Sequence, residues 1–190
     1  MSALPKNYVT PEEYLAIDRA SDVHHEYING EILDMTGGSF EHNRIALNVF
    51  RVLDAPLDSQ GCEIFIKDVR VKVTVTGASM YPDVIIVCGE QEAENEWGDT
   101  LLNPNILIEV LSSSTQSHDR RYKWAHYQRI PSLQEYLLVS QEEPFVEHYV
   151  RLQNNTWQYL THTDMEATIR FPSKGQELSM KALYRKVIPS

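Results

Sequence analysis

Two short runs constrain this chain more than anything else in it. Val84-Ile85-Ile86-Val87-Cys88 and Ile106-Leu107-Ile108-Glu109-Val110-Leu111 are continuous, rich in β-branched residues and too short for buried helices. Such runs read as strands in the middle of a sheet, apolar on both faces because both faces are covered. The 190 residues, 42% apolar and 23% charged, suffice for one ordinary globular domain or at most two small ones. One domain spanning residues 1–190 is the expectation. No apolar run approaches the roughly 18 to 20 residues that a membrane-spanning helix needs. The first residues lack the apolar stretch of a secretory signal. With Cys62 and Cys88 as its two cysteines, the chain has no disulfide framework and no Cys-rich zinc pattern. A reduced, cytoplasmic protein is expected.

Around the two runs the chain alternates helix and strand signals. Thr10-Pro11-Glu12-Glu13 is a capping box opening a helix to about Arg19. Asn29-Gly30 between two β-prone pairs predicts a hairpin, because both turn residues tolerate positive φ. Ser39 offers a cap for a helix over about Phe40–Leu53 that Pro56 ends. Glu63–Thr76 alternates, with Val69, Val71 and Val73 on one side and Asp68, Arg70 and Lys72 on the other, which predicts one half-buried strand. A helix is expected over about Ser117–Arg129. Strands at Tyr136–Val139, Phe145–Leu152 and Thr156–Thr163 should extend the sheet antiparallel, and a helix over about Ser179–Lys186 closes the chain. The architecture these elements predict is α+β, of α/β/α type, with a mixed central sheet flanked by helices.

Glu109 is the residue most at odds with its surroundings. A carboxylate inside a doubly buried strand must be protonated, paired with a cation or bound to a metal. Asp83 heads the other apolar run. Two carboxylates on neighbouring central strands make a hard-oxygen site of the kind that suits Mg²⁺ or Mn²⁺. A buried salt bridge explains Glu109 as well, and Pro82-Asp83 alone is an ordinary loop-to-strand junction. Asp119, Lys123 and Tyr127 recur at four-residue spacing and share a helix face. Lys123 can reach both acids from there, or form an exposed ion pair with Asp119.

The same segment carries His118, Arg120, Arg121, His126 and Arg129 among Tyr122, Trp124 and Tyr127, a mixture suited to phosphate contacts and base stacking. Ser112–Thr115 just before it could offer hydroxyls and amides to a phosphate. Arg70 and Lys72 could extend a positive track. Against this stands a net charge of −10, which opposes long-range attraction to a polyanion. Glu90, Glu92, Glu94, Glu96 and Asp99 place much of the acid in one stretch that reads as a solvated loop. His42 is a weaker candidate: it falls on the apolar face of its helix, where packing is its ordinary role and contact with the site is the alternative. His24-His25 has no partner at ligand spacing. Phosphate-binding Gly-rich loops, dinucleotide fingerprints and serine-hydrolase elbows are absent from the sequence, so kinase, dehydrogenase and serine-hydrolase readings fail.

Taken in order, Tyr27-Ile28-Asn29-Gly30-Glu31, Pro82-Asp83, Ile108-Glu109-Val110-Leu111-Ser112, Asp119 with Lys123 and Tyr127, and Arg129-Ile130-Pro131-Ser132-Leu133-Gln134-Glu135-Tyr136 resemble the Uma-type restriction endonuclease family, a branch of the PD-(D/E)XK nuclease superfamily. The resemblance runs from about residue 8 to residue 186. It implies the mixed sheet flanked by helices, with Asp83 and Glu109 as metal-binding acids. The usual pattern places a lysine two residues after the second acid, where this chain has Leu111. In the resembled branch the following helix supplies that lysine, which points to Lys123. Glu31 matches a recurrent Gly-Glu and is an accessory acid by the same resemblance.

The resulting expectation is a Mg²⁺- or Mn²⁺-dependent endonuclease acting on nucleic acid, DNA in the first instance, with Asp83, Glu109, Lys123 and Glu31 as its catalytic residues. A nuclease cutting both strands would pair its sites as a homodimer. The rival expectation is a catalytically inactive binding or regulatory module that keeps the fold, favoured by the net charge and by Leu111.

Overall fold

The computed structural model describes residues 8–35, 37–112 and 119–188. Ser113, Ser114, Thr115 and His118 lie outside the described residues. The chain opens with α1 (Pro11–Ala20), whose capping box is formed by Thr10 and Glu13. The hairpin β1 (His25–Ile28) and β2 (Glu31–Asp34) follows, with Ile28 paired to Glu31 across the turn. Asn29 and Gly30 take φ of 54° and 88°, which the tight turn requires. α2 (Phe40–Asp58) is capped by the Ser39 side chain, which accepts from the His42 amide.

The two apolar runs become β6 (Val84–Cys88) and β8 (Ile106–Leu111), paired antiparallel. With β3 (Cys62–Ile66), β9 (Glu135–Ser140), β10 (Val146–Arg151) and β11 (Trp157–His162) they form a six-stranded sheet in the order β11-β10-β9-β8-β6-β3. Its pairings are antiparallel except for β8 with β9, which run parallel. A parallel pair needs a crossover, and the chain makes it through a π-helical stretch, Asp119–Lys123, continuing into α3 (Trp124–Tyr127).

Both faces of this sheet are covered. On one face Ile45, Val49 and Leu53 of α2 pack with Val84, Ile86, Ile106, Ile108 and Val110. On the other, Ile85, Val87, Leu107 and Leu111 pack with Tyr127, Leu133 and Tyr136. Alternate residues of β6 and β8 thus serve two cores, which is why neither run alternates in polarity. Each Val, Ile or Leu so buried contributes roughly 1.5–3 kcal/mol. A second sheet, β2-β1-β5-β4-β7, adds β4 (Arg70–Val73), β5 (Ala78–Met80) and β7 (Thr100–Leu101) to the second core. A separate hairpin, β12 (Thr168–Phe171) with β13 (Gln176–Ser179), leads into α4 (Met180–Leu183). The α+β architecture with a mixed sheet flanked by helices is the one expected.

Four expectations are corrected. Glu63–Thr76 is two strands in two sheets, because Lys67 and Asp68 adopt left-handed φ of 57° and 59° and break the run. Pro56 does not end α2. It forfeits one backbone hydrogen bond, while Leu53 and Leu57, at 1% and 0% exposure, keep the last turns docked. The closing helix is shorter than expected, and the β12–β13 hairpin occupies sequence that carried no expectation. Finally, Cys62 and Cys88 are not free thiols: the β3–β6 register places them opposite one another, and they form a disulfide.

Candidate active site

The β6–β8 register pairs Val84 with Ile108, so one step further Asp83 stands across from Glu109. Asp83 Oδ2 accepts from the Val110 amide at 2.7 Å, tying the head of β6 to β8. Its Oδ1 lies 2.6 Å from His42 Nε2. Glu109 points into the second core at the end where the crossover passes, and is 2% exposed. Lys123 Nζ donates to both its oxygens at 3.1 and 3.2 Å, and the Tyr127 hydroxyl donates to Oε1 at 3.2 Å. Lys123 also lies 2.8 Å from Glu26 Oε1 and 3.3 Å from Asp119 Oδ1. Asp83, Glu109, Lys123, Glu26, Asp119 and His42 line one cleft of about 540 Å³.

Burial pushes the Glu109 carboxyl well above the usual carboxylate range. The Lys123 ammonium opposes that shift, and the charges of Asp119, Asp83 and Glu26 add to it. Burial alone would lower Lys123, but Glu109, Glu26 and Asp119 outweigh it and hold the ammonium charge firmly.

Asp83, Glu109 and Lys123 are therefore brought together. The Asp119–Lys123 pair exists but is buried, at 3% and 5% exposure, rather than solvated. Leu111, 3% exposed, fills core space in the second apolar cluster, and Lys123 reaches Glu109 from the crossover instead. Glu31 is exposed and does not line the cleft: it pairs with Ile28, two residues nearer the turn than Glu26. The acid the hairpin does deliver is Glu26, 5% exposed, whose Oε1 also accepts from the Tyr81 amide at 3.2 Å. His42 reaches the site despite its packing position. Its signal was the helix start at Ser39, which fixes the first turn of α2 over Asp83.

Among the described residues, the positive track expected to run on through Arg70 and Lys72 does not form. Arg70 is 2% exposed and donates to Asp18 at 2.6 Å, Lys72 pairs with Glu94, and Arg120 donates to Glu147 at 2.5 Å. Trp124 and Tyr127 are packing residues, stacked or edge-on against Tyr136. Arg121, Tyr122 and Arg129 are exposed.

Asp83 and Glu109 offer hard oxygens, and each carboxylate keeps lone pairs beyond the hydrogen bonds it accepts. Among the described residues no three His, Cys, Asp or Glu side chains form a ready-made cage. The donor set is thus two carboxylates, a number with which Mg²⁺ is commonly held when water and phosphate oxygens complete its shell.

A mixed sheet with this acid pair at the edge of a cleft has the architecture of the restriction-endonuclease-like class. Residues 11–181 match the family described as "Uma2: Putative restriction endonuclease", and the chain belongs to that family. It is 34% identical over 149 residues to the uncharacterized protein sll1609 of Synechocystis sp., covering 78% of this chain and 84% of that one. It is 30% identical over 177 residues to the uncharacterized protein slr1290 of the same organism, covering 93% and 92%. Its fold is similar to the crystal structure of a "putative nuclease belonging to DUF820" from Anabaena variabilis, with a TM-score of 0.78, 20% identity, and coverage of 95% of this chain and 99% of that one. Among the described residues no helix is long and apolar enough to cross a membrane.

Proposed function

We propose that this chain is a Mg²⁺- or Mn²⁺-dependent endonuclease that hydrolyses phosphodiester bonds in nucleic acid, DNA in the first instance. The observation that carries the reading is the opposition of Asp83 and Glu109 across β6 and β8, with Lys123 on Glu109 and His42 on Asp83, all facing one cleft. Asp83 and Glu109 would hold the ion, which when bound supplies Lewis-acid polarisation of the phosphoryl group and a more acidic water. His42 and the Val110 amide fix the orientation of Asp83, and the Tyr127 hydroxyl fixes that of Glu109. Lys123, ringed by three carboxylates, stays an ammonium ion and supplies fixed positive charge toward the phosphorane as its negative charge develops.

The test is cleavage of plasmid and single-stranded substrates in Mg²⁺ or Mn²⁺, wild type beside Asp83→Asn and beside wild type in EDTA. Cleavage by wild type alone, lost in both controls, is the expected result. Cleavage that survives Asp83→Asn would overturn the assignment. The second reading, a non-catalytic module, draws on the direct Lys123–Glu109 ion pair and on Leu111. It predicts no cleavage by folded wild type under any of these conditions.

A further inference from the structure

His24 precedes β1, and extended chain puts it on the same side as Glu26, two residues on. Both line the cleft, together with Tyr81 and Asp83. The His24 ring stacks on that of Tyr81, with centroids 4.5 Å apart and an interplanar angle of 23°. The two layers differ in setting. The His24 side chain is 43% exposed, whereas Tyr81 is 3% exposed. The Tyr81 hydroxyl donates to Asp18 at 2.5 Å, and the Arg70 guanidinium carbon lies 5.4 Å from its ring centre. A half-open aromatic layer thus rests on an immobilised one. Tyr81 is two residues from Asp83, at most about 7 Å along the chain, and both line the cleft, so the stack borders the proposed hydrolytic centre.

Among the described residues, the charge around the cleft opposes the usual grip on a long duplex, which needs a row of cations facing phosphates. Six carboxylates line the cleft against Lys67 and Lys123, and Arg70, Lys72 and Arg120 are engaged by Asp18, Glu94 and Glu147. A flat aromatic surface in an acidic cleft favours a planar base over a phosphate backbone.

We propose that His24, backed by Tyr81, is a nucleobase subsite, and that the substrate is single-stranded or locally unpaired nucleic acid whose unstacked base lies on His24. The proposal rests on the nuclease reading above. Its test is fluorescence anisotropy in Ca²⁺, to limit cleavage, with a labelled single-stranded deoxyoligonucleotide of mixed sequence and the duplex formed with its complement. Wild type should bind the single strand about tenfold more tightly than the duplex. His24→Ala should lose about tenfold in single-strand affinity, as expected for one base–aromatic stack. His24→Phe, which keeps a ring and removes the imidazole, should stay within about twofold of wild type.

His24→Ala binding like wild type, His24→Phe failing as badly as His24→Ala, or a preference for duplex would each overturn the subsite. So would an absence of binding to either oligonucleotide. The cleavage assay then separates the two readings: Asp83-dependent cleavage retains the nuclease and removes only the subsite, whereas no cleavage removes both.

Discussion

Lys123 is 5% exposed and contacts three carboxylates, so its removal leaves like charges facing one another out of water. Lys123→Ala should cost about 3–5 kcal/mol, the usual penalty for breaking a buried ion pair from one side. Glu109→Gln should cost clearly less, because Glu26 and Asp119 still hold the ammonium and Tyr127 can still donate to the amide oxygen. Urea denaturation of the two variants beside wild type checks the order, and the reverse order would contradict the geometry. At this scale Glu109 was legible because an acid interrupting a doubly buried strand demands a partner, and Asp83 because it heads the neighbouring apolar run. Lys123 came from the family resemblance, since four-residue spacing alone favoured an exposed Asp119–Lys123 pair. Glu26 was not legible. It is one of several acids in a hairpin, and only the position of β1 against β5 decides which enters the cleft. Glu31, carried over from the family resemblance, pairs with Ile28 beside the turn and does not line the cleft.

Among the elements, α1 is held to the sheet by charge as much as by packing. Asp18, 3% exposed, accepts from the Tyr81 hydroxyl, from Arg70 and from the His25 amide at 2.5, 2.6 and 2.6 Å. Burial raises the carboxyl, but these donors prevail and hold it below its ordinary value. A depressed folded pKa stabilises the native state above the unfolded value, about 3.9, and that stabilisation fades as pH falls through the folded value. Asp18→Asn should therefore be much less stable than wild type near neutral pH, and the gap should close in acid. Denaturation curves between about pH 7 and about pH 2 measure it, and a gap independent of pH would show that Asp18 does not carry the charge assigned to it. The Thr10–Glu13 capping box, the Asn29-Gly30 hairpin and the β9–β11 meander were legible because local chemistry dictates them. The break at Lys67-Asp68 was not, since two non-glycine residues at positive φ leave no mark on the alternation around them. The π-helical turn that aims Asp119 and Lys123 at the acids is likewise set by tertiary packing.

For the whole molecule, the two apolar runs implied a sheet covered on both faces, and that is the architecture formed. Which layer covers which face was not readable, because a second sheet and a late hairpin depend on long-range pairing. Net charge −10, with Arg70, Lys72 and Arg120 already paired, opposes recognition by a long electrostatic track. Single-strand binding should then depend only weakly on salt. At about 0.7 counterions released per phosphate neutralised, one or two contacts give a log–log slope no steeper than about −1.5. A slope near −5 would reveal an extended phosphate track and contradict this account.

The central claim is that Asp83 and Glu109 hold a divalent ion although Lys123 is already seated on Glu109. Calorimetric titration of Mn²⁺ into wild type and Asp83→Asn tests it without reference to any substrate. One site of micromolar to millimolar affinity in wild type, lost in Asp83→Asn, is the predicted result. A folded wild type that takes up no Mn²⁺ would show that the carboxylates serve only the buried ion pair.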